Sequence, residues 1–190
     1  MLLIVAIIFQ IIQTRMYIKI GIGLAQDAEK YVQKPDYADK LVLMIGDSTV
    51  VGTGAAKAED SLAGLVGKTL PKAEIINKGV NGMKTKQLRS EIEGLSEEYD
   101  LIMLHIGGND IVRFTELKKL ENDLHATVKA AKSKSEKVIL INGGNPGTAL
   151  LLPWMSRPFY NHRARQVREI FLRVAEENSI PLADVFREPE

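Results

Sequence analysis

The sequence predicts an α/β fold in three layers, α/β/α, with a five-stranded parallel sheet in the middle. Three observations carry this prediction. Short, continuously apolar runs end at glycine or polar loops, stretches of helical period lie between them, and the two kinds of segment alternate from about residue 41 onward. A strand covered on both faces reads as an unbroken apolar run, because neither face meets water. Strand–helix alternation demands crossovers, and crossovers give parallel strands with helices packed on the sheet.

The first strand is expected at residues 41–45 (LVLMI), stopped by Gly46. The second is at 73–77 (AEIIN), before Lys78-Gly79, and the third at 100–106 (DLIMLHI), before Gly107-Gly108. The fourth is at 137–142 (KVILIN), before Gly143-Gly144, and the fifth at 180–185 (IPLADV). Between them, residues 61–70 follow the acidic pair Glu59-Asp60, as a helix start often does. Residues 85–95 place Leu88, Ile92 and Leu95 three or four apart. Residues 117–131 put Leu117, Leu120, Leu124 and Val128 on one face, and residues 164–178 do the same with Val167, Ile170, Phe171 and Val174.

Two segments precede this domain, which is taken as residues 41–190. Residues 26–40 are polar, carry Pro35 and have no apolar stripe, so they read as a linker. Residues 1–25 open with MLLIVAIIFQII, apolar except for Gln10. That run of about a dozen residues is short of the ~20 that span a bilayer. It also lacks the basic start and the small-residue cleavage site of a signal peptide. Three readings stay open for residues 1–25: a membrane anchor, an atypical signal sequence of a secreted protein, or a hydrophobic helix packed on the domain. As an anchor, with Arg15 and Lys19 behind it, the segment would hold the domain in the cytoplasm.

Composition narrows the chemistry. Of the 190 residues, 45% are hydrophobic and 26% charged, the proportions of a chain that buries an ordinary core. A net charge of +1 gives no field that would gather nucleic acid. There is no cysteine, which excludes disulfides, thiolate metal sites and a cysteine nucleophile. His105, His125 and His162 have no metal-ligand spacing.

In a parallel sheet covered by helices, ligands bind beyond the carboxyl ends of the strands, so the residues just after each strand matter most. After the first come Gly46-Asp47-Ser48-Thr49. A serine lifted on a glycine turn at a helix start is either an exposed nucleophile or a helix cap. After the second, Gly79 and Gly82 permit close approach to a ligand, or simply supply a loop with positive φ. After the third, Asn109 in Gly107-Gly108-Asn109-Asp110 offers a neutral amide donor to a developing anion, or makes an Asx turn. The glycines at 46, 52 and 54 also suggest a nucleotide loop, but the spacing fits neither G-x-G-x-x-G nor a phosphate loop with G-K-[ST].

GDS, then GxxG, then GGND, each behind a buried strand and in this order, resembles the SGNH, or GDSL, hydrolase family over about residues 41–185. The resemblance implies a flavodoxin-like sheet and hydrolysis of carboxylic esters such as acyl esters, lysophospholipids or acetylated compounds. It implies a small-molecule ester or lipid-like substrate, no nucleic acid, and no metal or organic cofactor. By it, Ser48 matches the nucleophile, Gly82 the glycine whose N–H joins the oxyanion hole, and Asn109 the side chain that completes the hole. Asp47 matches the aspartate beside the nucleophile. Residues 145–165 look like the variable lid of membrane-anchored bacterial members.

The family takes its base from a D-x-x-H motif after the fifth strand, ahead of a last helix. Here only Phe186-Arg187-Glu188-Pro189-Glu190 follow that strand, and no histidine follows His162. The expectation is therefore a domain without its C-terminal helix, with apolar surface left open on one sheet face. Two accounts fit: a fragment of a longer reading frame, inactive as it stands, or a natural pseudoenzyme that binds an acyl group or an anion. The remaining histidines are expected elsewhere, His105 packed in the core, His125 on a helix surface, and His162 at the site's border without the D-x-x-H spacing.

Overall fold

Every one of the five apolar runs forms a strand, and all five pair in parallel. A computed structural model describes residues 2–149 and 152–188, with side chains from residue 9 onward. Its strands are β1 (Lys40–Gly46), β2 (Ala73–Gly79), β3 (Leu101–Ile106), β4 (Val138–Asn142) and β5 (Leu182–Ala183). Its helices are α1 (Leu2–Asp27), α2 (Ser48–Val51), α3 (Leu62–Thr69), α4 (Thr85–Glu93), α5 (Gly108–Val112), α6 (Leu117–Lys132) and α7 (Arg157–Glu177). Two 3-10 turns, Ala58–Asp60 and Pro146–Thr148, lie between them. The sheet order is β2-β1-β3-β4-β5, which puts β1, β3 and β4 inside and makes the point where the order reverses fall between β1 and β3.

Alternation along the strands sorts the core into two clusters. Leu43 and Ile45 of β1, Ile102, Leu104 and Ile106 of β3, and Val138 and Leu140 of β4 face one way. They pack on Leu88 and Ile92 of α4, Leu120, Leu124 and Val128 of α6, and Val167, Ile170, Phe171 and Val174 of α7. Val42 and Met44 point to the opposite face and meet Ile75 of β2, Val50 of α2 and Ala63 of α3. On this second face Leu101, Met103 and Ile139 are only half-buried, so the cover thins toward β3 and β4.

Two boundaries differ from the sequence reading. The fifth strand, expected over residues 180–185, pairs only through Leu182–Ala183. Pro181 has no N–H to give the ladder, although its carbonyl accepts from Leu140 N–H. On the other side, Asp184 turns its carboxylate back to the Phe186 N–H, and this local bond draws the backbone out of the sheet. The last helix begins earlier than expected, at Arg157, with Pro158 in its first turn, where the missing N–H costs nothing.

Residues 26–40 make specific contacts. Gln33 pairs antiparallel with Ile75 on the outer edge of β2, and its side-chain amide donates to the carbonyls of Leu70 (2.8 Å) and Ala73 (2.7 Å). Tyr31 packs against the second cluster. Together they occupy a sheet edge that would otherwise offer free backbone groups. The end of α1 comes near the strand ends, where Asn81 donates to the Ala25 carbonyl at 3.1 Å. Phe9, Ile11, Ile12, Met16 and Ile18 of α1 are exposed. The first part of the expected anchor lies outside the described side chains. Among the described residues no helix is long and apolar enough to cross a membrane.

Candidate active site

Ser48, Gly82 and Asn109 stand beyond the carboxyl ends of three adjacent strands. Gly46 is in register with Gly79 on one side and His105 on the other, so the loops leave the sheet at one level. The chain after β1 is fixed at once: Asp47 N–H donates to the His105 carbonyl, and the Gly46 carbonyl accepts from Val80 N–H at 2.9 Å.

The open question of a cap at Ser48 is resolved by its neighbour. Asp47 is the N-cap of α2, its carboxylate accepting from Thr49 N–H at 3.0 Å. Ser48 is the first helical residue and half-buried. Its hydroxyl has no hydrogen-bond partner among the described residues, so it is free of any capping role.

The β2 loop is locked to the same helix. Asn77 donates to the Val50 carbonyl at 2.7 Å and accepts from Gly79 N–H at 3.0 Å. Gly79 lies so close to α2 that an added Cβ would stand 2.5 Å from the Val51 nitrogen. Gly82 follows with φ +77°, a left-handed conformation that glycine takes without cost.

Asn109 lies inside the first turn of α5, whose N-cap is Gly107, and among the described residues its side chain makes no Asx turn. Its amide donates to the Met83 carbonyl at 3.1 Å, which ties the β3 loop to the β2 loop. An amide nitrogen carries two hydrogens, so one holds the side chain in place and the other remains to be given. Among the described residues, neither Ser48 N–H nor Gly82 N–H donates to a protein acceptor. Free backbone donors at a half-buried place are uncommon. Two free backbone donors and a spare amide hydrogen, on the loops of three adjacent strands, are groups of the kind that can stabilise oxygen that gains negative charge.

One carboxylate that sequence reasoning left without a role organises the site from below. Asp110 is buried and accepts from Thr85 N–H (2.9 Å), the Thr85 hydroxyl (2.8 Å) and the Thr115 hydroxyl (2.8 Å). It joins the start of α4 to both ends of α5. The available signal was its position directly after Asn109, a place that only folding links to Thr85. Arg163, nine-tenths buried on α7, donates to the Thr115 carbonyl. Burial lowers its pKa, and the charge of Asp110 opposes that fall.

His105 in the core and His125 on the side of α6 take the places expected of them. His105 is buried, with Nδ1 3.4 Å from an Asp47 carboxylate oxygen but without hydrogen-bond alignment. His125 lies between Glu177 (3.2 Å) and Asn178 (3.1 Å) at the far end of α7. His162 is exposed on α7. None hydrogen-bonds to Ser48. Asp184, just past β5, accepts from Asn142, Arg168 and Phe186 N–H. Among the described residues no cluster of His, Asp and Glu could hold a metal.

The profile of the GDSL-like lipase/acylhydrolase family matches residues 44–190. No curated protein matches the sequence. Solved structures share the fold. A G-D-S-L family protein from Desulfitobacterium hafniense DCB-2 superposes with a TM-score of 0.60 at 24% identity, covering 76% of each chain. AlinE4, an SGNH-hydrolase family esterase, superposes at 0.59 with 20% identity, over 80% of this chain and 77% of its own. Axe2, an acetylxylan esterase from Geobacillus stearothermophilus, superposes at 0.58 with 20% identity, over 77% and 76%.

Proposed function

Because this chain belongs to the GDSL-like lipase/acylhydrolase family, a family of ester hydrolases, we propose that Ser48 is the nucleophile of a carboxylic ester hydrolase and that Ser48 N–H, Gly82 N–H and the Asn109 amide form its oxyanion hole. The observation that carries this reading is the pair of unpaired backbone N–H groups, on neighbouring strand ends, beside an amide already fixed by the Met83 carbonyl. Ser48 Oγ attacks the ester carbonyl. The carbonyl oxygen becomes an oxyanion that the three donors stabilise, the alcohol leaves, and water then releases the acid from the acyl-serine. Donors that are fixed before reaction add no reorganisation to the barrier.

A serine hydroxyl needs a base to take its proton. The family pattern assigns this to a histidine in D-x-x-H, and none of the three histidines present fills that position. A second reading has the same donors hold an acyl group or an anion without turnover. Ester hydrolysis by the full-length gene product separates the two. With Ser48→Ala the catalysed rate should fall to background while the protein stays folded. Retention of wild-type turnover by that variant sinks the assignment of Ser48. If the wild-type product binds esters and turns none over, the binding reading replaces the hydrolase. Removing the Asn109 amide by Asn109→Ala should cost about 2.7–4 kcal/mol of transition-state stabilisation, read as a loss in kcat larger than the change in KM.

A further inference from the structure

We propose that Arg113 is a specificity-determining residue that binds an anionic group, carboxylate or phosphate, carried by the ester substrate next to its scissile bond. The inference rests on the site proposed above and names its substrate class. Arg113 closes α5, the helix that bears Asn109, and its backbone N–H donates to the Asn109 carbonyl at 3.0 Å. Its guanidinium lies over Gly82: an added Cβ at that glycine would stand 3.2 Å from Arg113 Nη2. A cation therefore rests against the residue proposed to supply an oxyanion donor.

The surrounding charges do not account for this cation. Among the described residues no carboxylate pairs with Arg113, and its side chain is exposed. Two neighbouring cations have other tasks on the same turn. Lys84 Nζ donates to the Thr115 hydroxyl at 3.2 Å, and Arg163 donates to the Thr115 carbonyl. The buried carboxylate here, Asp110, is filled by Thr85 and Thr115. Arg163 and Lys84 support the turn, which leaves Arg113 to meet a ligand.

The turn also holds Arg113 in position. Phe114 has φ +49°, a conformation that a bulky side chain rarely adopts, and it is kept there by hydrogen bonds on both sides. Phe114 N–H donates to the Ile111 carbonyl and Thr115 N–H to the Asp110 carbonyl, while the Phe114 ring packs on Tyr160 at 5.6 Å between centroids. Arginine is suited to this use, because its planar fork matches carboxylate and phosphate oxygens in pairs.

The test uses the full-length protein with Ser48→Ala, so that binding is read without turnover. Calorimetry compares two pairs of ligands: monobutyl succinate with its neutral methyl ester, and butanoylglycerol phosphate with butanoylglycerol. At least one anion should bind about tenfold more tightly than its neutral partner, and the preference should shrink as salt rises. The pair that shows it identifies the anion and the side of the ester that carries it. Adding Arg113→Gln, an exposed substitution, should abolish the preference, and Arg113→Lys should keep part of it. Equal binding within both pairs, or a preference that survives Arg113→Gln, overturns the proposal. Hydrolysis of neutral p-nitrophenyl butyrate by the wild type is read separately. Turnover without any anion preference leaves the hydrolase reading standing and removes this one, whereas an Arg113-dependent preference without turnover does the reverse.

Discussion

The two halves of the sheet end in different ways. On the β2-β1-β3 side, strands of seven, seven and six residues finish level, and their loops are joined by buried hydrogen bonds through Asn77 and Asp110 and a part-buried one through Asn109. On the β4–β5 side, strands of five and two residues end in a partly exposed cluster of Asn142, Asp184 and Arg168. The first half needs nothing from the second to hold its donors. An oxyanion hole has to be stiff to be useful, since donors that must first turn toward the charge lose their advantage. The half where the family keeps its base is held by contacts that water can reach. For the proposed oxyanion hole, preorganisation would be a property of three strand ends and not of the whole sheet.

The largest effect should come from breaking the buried half at Asp110. Asp110→Ala leaves Thr85 N–H and two threonine hydroxyls without an acceptor, and a buried donor deprived of its partner costs about 1–3 kcal/mol. A loss of about 3 kcal/mol or more is expected from the urea midpoint, with Thr115→Val losing less, because its hydroxyl gives one bond to Asp110 and takes one from Lys84 Nζ, a half-buried ammonium that can turn to water. If Asp110→Ala unfolds at the wild-type urea concentration, the stiffness of this half has another origin.

A smaller loss should follow at the junction between β2 and α2. Gly79→Ala would press a methyl group against the backbone of Val50 and Val51, which has no flexible end to move aside. Overpacking of this kind costs about 1–3 kcal/mol. Since α2 starts at Ser48, the strain should also displace the serine. The expected outcome is a lower melting temperature and slower reaction of Ser48 with a fluorophosphonate, compared under conditions where the variant is folded. Unchanged labelling together with unchanged stability would mean that β2 and α2 are not tightly coupled.

The same contrast governs what the sequence could say. The level strand ends were legible, because apolar runs stopped by glycine mark both the strand and the place where it turns. Ser48, Gly82 and Asn109, the residues proposed for the site, are each local to such a stop. Asp47 as the cap in place of Ser48 was less accessible, since either side chain can accept from the helix start and only the φ,ψ of Asp47 decides. Asp110 and Arg113 were out of reach. Their partners Thr85 and Gly82 lie 25 and 31 residues earlier, and nothing in one sequence pairs them. The length of β5 was overread because an apolar run does not reveal that Asp184 will bond to its own neighbour's N–H instead of letting the strand continue.

The mildest way to probe the comparison is to titrate the exposed half. Burial pushes the Asp184 carboxyl upward, but the hydrogen bonds from Asn142, Arg168 and Phe186 N–H outweigh it and hold the group below its ordinary value of 3.8. A folded-state pKa below the unfolded one means that the unfolded chain binds the proton more readily. The stabilisation is therefore complete above the ordinary value and is lost as pH falls through it and then through the depressed folded value. Asp184→Asn should accordingly be less stable than the wild type at pH 7, with the gap closing in acid well below pH 3.8. Because Arg168 is partly solvated, the ion pair should be worth less than about 1 kcal/mol, and salt should narrow the gap further. Asparagine can still accept from Asn142 and from Phe186 N–H, and Arg168 keeps its place over the Phe186 ring at 5.2 Å, so β5 should stay paired. A gap that persists unchanged in acid would show that the substitution acts through packing and not through charge. A gap as large as that of Asp110→Ala would show that the β4–β5 half is held as stiffly as the other, and the contrast between the two would be lost.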